Sequence, residues 1–135
     1  MVSLEYMAGF FDGEGCICVS HHRYKNGQIY CNGIVSVTQG ILRASVLEDF
    51  AARFGGRIYN CTNNTYKFWK ISRVAEIEEF CKVMKDLLVQ KKVQAVLMLE
   101  FLRCRGERRR RFELSLKISE HNSLGKRKVM RKEDL

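Results

Sequence analysis

The segment Tyr6–Gly15 constrains the fold more than any other part of the sequence. Its first half carries large apolar side chains at helical spacing, which predicts a helix. Its second half alternates acids with glycines, and Gly13 and Gly15 are suited to ending a helix and to bringing backbone close to another molecule. Asp12 and Glu14 then lie at the helix C-terminus, where the dipole disfavours negative charge. Carboxylates beside open backbone carbonyls favour a hard divalent cation. The alternative is an ordinary amphipathic helix with a glycine-rich C-cap.

Small residues form a flat strip on this predicted helix, at Ala8, Gly9 and Gly13. Such a strip allows a second helix to approach closely, a packing mode best known from membranes. The most apolar later stretch, Ala95–Leu102, is too short to span a bilayer. We therefore expect no membrane span, and we expect the partner helix to belong to another protein chain.

The composition favours a soluble chain with a polyanionic partner. The sequence has 135 residues, 46% of them hydrophobic, which predicts one domain over residues 1–135 with a substantial core. Its formal net charge of +9 favours nucleic acid as the partner. No glycine-rich cofactor loop or nucleophile–base constellation is evident, so we expect no nucleotide cofactor.

The six cysteines are scattered and contain no CxxC spacing. Because no secretory signal precedes them, we expect reduced thiols in an intracellular, reducing compartment. A zinc site formed by Cys16, Cys18, His21 and His22 is disfavoured, because His21 should point to the opposite face of a strand from the other three.

Hydrophobic periodicity predicts the order of helices and strands. Alternating runs around Asn26-Gly27 predict a hairpin that ends near Gln39, and runs around Thr62–Thr65 predict a second hairpin. Helical spacing recurs at about residues 40–54, 75–89 and 91–102. The order αββαββα predicts an α+β fold in which one antiparallel, four-stranded sheet is covered by helices on one face.

The solvated face of that sheet is expected to be polar and aromatic. In the first hairpin and its tip, the predicted outward residues are Ser20, His22, Tyr24, Lys25, Asn26, Gln28, Asn32, Ser36 and Thr38. In the second hairpin they are Arg57, Tyr59, Cys61, Asn63, Tyr66, Phe68 and Lys70. Such side chains can bond to base edges in the major groove of DNA. A hydrated face without a ligand is the alternative. A strand of about nine residues at ~3.3 Å each would follow about nine base pairs.

The segment MAGFFDGEG, residues 7–15, resembles the LAGLIDADG motif of homing endonucleases. The resemblance covers about residues 4–130 and implies a saddle-like sheet on double-stranded DNA and metal-dependent, site-specific cleavage of both strands. The motif occurs once, so two hydrolytic centres require a homodimer and a pseudo-palindromic target of about 20 base pairs. The expected dimer contacts on the motif helix are Tyr6, Ala8, Gly9, Phe10 and Gly13.

The resemblance also implies the catalytic positions, which are Glu14, Gln39, Arg43 and Lys91, with Lys92 as the alternative to Lys91. Glu14 stands where the motif has Asp and is the expected metal ligand, together with the Gly13 carbonyl. The other three positions would order water and stabilise the phosphate. Asp12 would end the helix, with a contribution to the metal field as the alternative. The expected cofactor is Mg2+, with Mn2+ as a substitute and Ca2+ supporting binding without cleavage.

The C-terminal part is strongly basic. Residues 122–128 resemble the family's DNA-contacting loop, and Lys126, Arg127 and Lys128 are the expected phosphate contacts. The run Arg108–Arg111 either contacts DNA or is a solvated helix face. The alternative function on the same fold is an RNA maturase or a DNA-binding regulator that does not hydrolyse its target. The chain reads as an intron-encoded or free-standing protein.

Overall fold

The computed structural model describes the backbone of residues 1–133 and the side chains of residues 1–123. The elements are α1 (Leu4–Glu14), β1 (Gly15–Arg23), β2 (Ile29–Gly40), α2 (Val46–Phe54), β3 (Arg57–Asn60), β4 (Tyr66–Ile71), α3 (Val74–Met84), α4 (Lys92–Arg103) and α5 (Arg108–Glu133). A 3-10 turn, Ile41–Arg43, precedes α2. The α+β class and the predicted order of a helix, two strands, a helix, two strands and further helices are confirmed.

The four strands form one antiparallel sheet in the order β1-β2-β4-β3. Both predicted hairpins are present, and β2 joins them because Val35 pairs with Ile71 of β4. The turns are where the sequence predicts them, with Gly27 at φ 83° and Asn64 at φ 56°. Glycine and asparagine are the residues that adopt positive φ most readily, so these two positions favour the turns.

The helices cover one face of the sheet and leave the other open. On the covered face Ile17, Val35 and Trp69 are fully buried in the core. The Trp69 ring lies 5.1 Å from that of Phe50, and its indole N–H donates to the Gly55 carbonyl at 2.7 Å. That bond satisfies the polar atom of the largest buried side chain.

Helix α1 begins with a serine cap and turns directly into β1. The Ser3 hydroxyl accepts the amide of Tyr6 at 3.1 Å. At the other end, a Cβ on Gly15 would overlap the ring of Phe11. Glycine is therefore required at residue 15, where the chain passes from the helix into the sheet.

Three boundaries differ from those predicted. Strand β2 continues to Gly40, whose backbone is extended, so the helix expected from about that residue starts at Val46. Leu42 consequently lies outside the apolar stripe and is 96% exposed. Helix α3 ends at Met84, short of the predicted boundary. The expected loop at residues 122–128 is part of α5.

Helix α5 is tied to the covered face of β1. His21 Nε2 lies 2.9 Å from the buried hydroxyl of Ser115, and the Asn122 amide donates to the Ile17 carbonyl at 2.7 Å. His21 thus points away from the open face, as the strand alternation predicts. In the part of the chain that the structure describes, no helix has the length and hydropathy of a membrane span.

Candidate active site and nucleic-acid interface

The end of α1 is bound to the start of α4 through Asp12. Its carboxylate accepts backbone N–H groups from Val89, Gln90 and Lys91 at 2.8, 3.1 and 3.0 Å. These donors immediately precede α4, so the carboxylate also lies at the positive end of that helix dipole. Asp12 therefore joins α1 to α4 and does not end its helix, which continues to Glu14. A contact so distant in sequence could not be foreseen.

Lys91 completes this connection in the opposite direction. Its ammonium group donates to the backbone carbonyl of Asp12 at 2.5 Å, which places a cation at the negative end of α1. The side chain of Asp12 thus binds the N-terminus of α4, and the side chain of Lys91 binds the C-terminal turn of α1. We refer to the four hydrogen bonds that join Asp12 to residues 89–91 as the Asp12–Lys91 clamp. The clamp brings Lys91 next to the acidic end of the motif helix. Lys92, the alternative position, is the first residue of α4 and is exposed.

The carboxylate of Glu14 lies at the last residue of α1 and is exposed. Within residues 1–123, no side chain forms a hydrogen bond or an ion pair with it. The Gly13 carbonyl belongs to the same last turn, whose carbonyls lack partners within the helix. These hard oxygen donors fit Mg2+, which is usually held by one or two carboxylates together with water and substrate phosphates. Among the described residues of one protomer, no group of three His, Cys, Asp or Glu side chains is placed to hold a metal ion.

The other two predicted catalytic residues lie near the same end of the sheet. Gly15 pairs with Val37, and Gln39 follows two residues later on the same side of β2, toward the end of α1. Its side chain is half-buried. Arg43 lies in the exposed 3-10 turn after β2 and forms no salt bridge with a described residue. Lys91 therefore contacts the motif directly, and Gln39 lies near its end along β2.

Asp12→Asn is expected to lower the free energy of unfolding by about 1.5 to 3 kcal/mol, because an amide loses the charge-assisted bonds to the backbone before α4. Chemical denaturation would measure this loss. Asp86→Asn provides a matched control, since Asp86 is exposed and forms no salt bridge with a described residue. Equal stability of the two variants would contradict the structural role of the clamp.

The open face of the sheet carries the side chains predicted for it. Cross-strand neighbours in an antiparallel pair share a face, and the pairs Ser20↔Asn32 and Thr38↔Phe68 place both hairpins on this side. Further outward pairs are Cys16↔Ser36, Cys18↔Ile34, His22↔Tyr30, Ser36↔Lys70, Tyr59↔Phe68, Arg57↔Lys70 and Gly40↔Tyr66. The face is thus polar and aromatic across all four strands, which suits contact with nucleic acid.

The two hairpin tips are held by hydrogen bonds from different side chains. At the first tip, Tyr24, Lys25 and Asn26 are exposed, and the Asn26 carbonyl oxygen accepts the Gln28 amide at 3.0 Å. At the second tip, the Cys61 sulfur accepts the amide of Thr65 at 3.3 Å.

The Cys61 thiol is acidic for a cysteine. Desolvation raises its pKa, but hydrogen bonds from the Thr65 hydroxyl and from the amides of Tyr66 and Thr65 outweigh this and bring the pKa down to about 7. Its donor bond at 2.8 Å goes to Asn63 of the same turn. The sulfur therefore holds the turn together, and a contact from Cys61 or Asn63 to DNA stays a prediction.

The outer face of α1 differs from the predicted dimer surface at one position. Ala8 is 1% exposed, because it lies on the side of the helix that packs with Met7 and Phe11 into the core. Its assignment to the dimer interface is wrong for that reason. Gly9 and Gly13 are open, and a Cβ on either would meet nothing within 4 Å.

The aromatic members of the predicted dimer surface remain on or near the outer face. Tyr6 is 55% exposed and stacks on Phe10 with ring centroids 6.4 Å apart. Phe10 is half-buried, with its ring 6.3 Å from that of Phe50. The outer strip of α1 thus consists of Tyr6, Gly9, Phe10 and Gly13.

Sequence reasoning missed two residues of the open face. Tyr30 lies on the open face, which the pairing of the first hairpin would have shown had the register been known. Cys16 lies there too. The side chains of Lys126, Arg127 and Lys128 lie outside the described residues, so their contact with phosphate stays a prediction.

Comparison with known proteins identifies the family. The model of the LAGLIDADG endonuclease family matches residues 7–102. The homing endonuclease I-CvuI, in complex with its target in the presence of Ca, has a TM-score of 0.77 and 17% identity over 87% of this chain and 80% of its own. The archaeal intron-encoded homing endonuclease I-Vdi141I, complexed with DNA, has a TM-score of 0.76 and 22% identity over 87% and 82%. The homing endonuclease I-TnaI has a TM-score of 0.71 and 22% identity over 90% and 86%.

At these identities the solved structures establish the shared fold, and no curated protein matches the sequence significantly. The family model spans well over half of the chain and includes the motif helix, the sheet and the Asp12–Lys91 clamp. This protein belongs to the LAGLIDADG endonuclease family.

Proposed function

We propose that this chain is a homodimeric, Mg2+-dependent endonuclease that cuts both strands of a long pseudo-palindromic DNA site. The observation that carries the proposal is the Asp12–Lys91 clamp, which holds a lysine ammonium on the carbonyl of Asp12, in the same last turn of α1 as the exposed Glu14. A protein that only binds DNA gains nothing from an unpaired carboxylate facing a polyanion. A hydrolase needs that carboxylate to bind a cation.

The proposed chemistry assigns a separate role to each residue. Phosphodiester hydrolysis requires an activated water and a positive charge that offsets the charge of the pentavalent phosphate, and a bound divalent cation supplies both. Glu14 and the Gly13 carbonyl would hold that cation. Lys91 would donate to a phosphate oxygen, Gln39 would orient water, and Arg43 would contact the cleaved strand.

A homodimer would supply the second catalytic centre. The outer strip of α1 is flat at Gly9 and Gly13, so two copies of the helix could pack closely along it. The two Glu14 carboxylates would then lie close to the symmetry axis. Their repulsion favours cation binding between the protomers and the DNA.

The open sheet face would read the target. Strand β1 has nine residues, which at ~3.3 Å each span roughly 30 Å, or about nine base pairs. Two protomers would therefore contact about 20 base pairs with two-fold symmetry. Polar side chains such as Ser20 and Asn32 would bond to base edges in the major groove.

The same reasoning extends to the cofactor and the compartment. I-CvuI is known in complex with its own target in the presence of Ca, and with the I-CreI target in the presence of Mg, where the DNA is not cleaved. For this chain we expect cleavage with Mg2+ or Mn2+ and binding alone with Ca2+. No disulfide joins its cysteines within the described residues, which suits a reducing compartment.

The experiment that tests the proposal separates binding from cleavage. Duplexes bound by the protein would be enriched from a randomised DNA library without divalent metal, sequenced, and then incubated with the protein and Mg2+. We expect a two-fold symmetric site of about 20 base pairs that is cut on both strands. Binding to such a site without cleavage by Mg2+ or Mn2+ would favour a DNA-binding regulator. Selective binding to structured RNA in place of duplex DNA would favour a maturase.

A further inference from the structure

A cleft of about 510 Å³ lies beside the open face of the sheet and has no role in the cleavage site. It is formed where the first half of β2 meets the start of α5. Its walls include Tyr30 and Asn32 from the strand and Arg108, Arg109, Arg111 and Phe112 from the helix. We call it the arginine cleft.

The arginines around this cleft differ in whether their charge is already compensated. Arg109 lies 3.5 Å from the Glu113 carboxylate, and Arg110 lies 3.2 Å from Glu100. Arg111 donates to two backbone carbonyls, Phe101 at 3.0 Å and Cys31 at 2.9 Å. It also lies 4.0 Å above the Phe101 ring. Arg111 is therefore a structural residue that joins α5 to β2 and α4.

Arg108 has only neutral partners among the described residues. Its guanidinium donates to the side-chain oxygen of Gln28 at 3.2 Å and lies 5.7 Å from the centre of the Tyr30 ring. Tyr30 in turn donates its hydroxyl to the same Gln28 oxygen at 2.9 Å. Both donors share one amide oxygen, and the charge of Arg108 has no carboxylate partner among the described residues. An unpaired guanidinium with free donors is suited to binding a phosphate group.

The cleft is continuous with the surface proposed to read DNA. Tyr30 pairs with His22, and Asn32 pairs with Ser20, so these two residues of the cleft wall also belong to the open face. A duplex seated on that face would pass the mouth of the cleft with its sugar-phosphate backbone. Charge complementarity therefore favours a DNA phosphate as the occupant.

We propose that Arg108 binds a phosphate of the DNA backbone at the outer end of each half-site, and that it positions Gln28 for contact with the adjacent base pair. This inference rests on the proposed function, since it assumes that the open face receives duplex DNA. It extends the contact surface from the sheet to α5. Because a phosphate carries no sequence information, the contact adds affinity on every duplex, whereas positioning of Gln28 adds specificity at one base pair.

The first test measures the salt dependence of binding to a mixed-sequence duplex of about 40 base pairs, without divalent metal. Arg108→Ala is expected to weaken binding roughly tenfold at about 100 mM salt and to reduce the slope of log K against log salt by about 0.9 per protomer. Arg108→Lys should retain most of the slope, because it keeps the charge. Lys82→Ala is the control for loss of one positive charge away from the sheet, since Lys82 lies on the exposed surface of α3, where it pairs with Glu78 at 2.9 Å. An unchanged slope for Arg108→Ala would overturn the proposal.

The second test locates the phosphate on the selected target. Neutral methylphosphonate groups would replace single phosphates along the duplex. One position near each end of the site is expected to weaken binding of the unmodified protein and not of Arg108→Ala. Weakening of both proteins by the same factor at every position would contradict a direct contact.

The results also distinguish this inference from the proposed function. If the protein binds and cuts its target but Arg108→Ala behaves like the unmodified protein, the inference alone fails. If Arg108→Ala reduces the salt slope while the protein cleaves no duplex, the proposed hydrolysis fails and the contact stands. If the unmodified protein does not bind duplex DNA, both fail.

Discussion

Glu14→Gln is expected to lower the rate of DNA cleavage by at least about 10³-fold while binding to the target remains intact. Glutamine has the size of glutamate and lacks the negative charge, so it would weaken the hold on the cation without altering α1. The carboxylate is exposed and has no partner in the described part of the protomer, so its loss should cost no stability. Removing a negative charge that faces DNA should strengthen binding slightly.

The measurement is single-turnover cleavage in Mg2+ with protein in excess, together with binding in the absence of metal. Glu5→Gln is the matched control, because Glu5 is an exposed acid in the first turn of the same helix. Cleavage by Glu14→Gln at the rate of the control would remove Glu14 from the catalytic site. Loss of binding along with cleavage would point to a structural role in its place.

Gly9→Glu is expected to convert the dimer into a monomer and to abolish double-strand cleavage, without destabilising the protomer. A side chain at residue 9 meets nothing within 4 Å in the protomer, so it has room there. Replacing a glycine inside a helix also removes a conformational penalty of up to about 1 kcal/mol. In a dimer packed along the outer strip of α1, the same side chain would collide with its symmetry mate and place two carboxylates together.

Sedimentation velocity would report the oligomeric state, and a supercoiled plasmid carrying the selected target would distinguish nicking from double-strand cleavage. Ala52→Glu introduces the same side chain at an exposed position of α2 and serves as the control. Gly9→Ala should weaken the dimer to a smaller extent. A Gly9→Glu protein that remains dimeric would exclude this surface, and an unmodified monomer that cuts both strands in one binding event would exclude the homodimer.

The sheet could be predicted from sequence because its information is local. The turn at Asn26-Gly27 and the alternation from Ile17 to Val37 determine the first hairpin and the faces of its side chains. The same holds for Trp69 and Ile71, which the alternation places on the covered face and the structure buries. The order of the helices and strands, and the face of the sheet on which each side chain lies, therefore followed from the spacing of apolar residues.

The candidate site was less predictable, because it depends on contacts between distant segments. Nothing near Asp12 in the sequence indicates that its carboxylate binds the amides before α4. Ala8 was misassigned because a small residue fits either a dimer surface or a crowded core, and only the rotation of α1 on the sheet distinguishes the two. The position of Arg108 depends equally on how α5 packs against β2.

The Asp12–Lys91 clamp has a consequence for how related proteins would lose cleavage activity by mutation. Under the proposed function the two acids of the motif have different roles, since Asp12 stabilises the protomer through the clamp and Glu14 would bind the catalytic cation. A descendant that gave up cleavage but kept binding could therefore lose Glu14 freely, whereas loss of Asp12 would also lower its stability. We expect cleavage-deficient relatives to differ at the second acid first, and a group of folded, inactive relatives that kept Glu14 and lost Asp12 would contradict this. Within a set of related sequences, the presence of Asp12 would then indicate a stable protomer, and the presence of Glu14 would indicate a protein that still cleaves DNA.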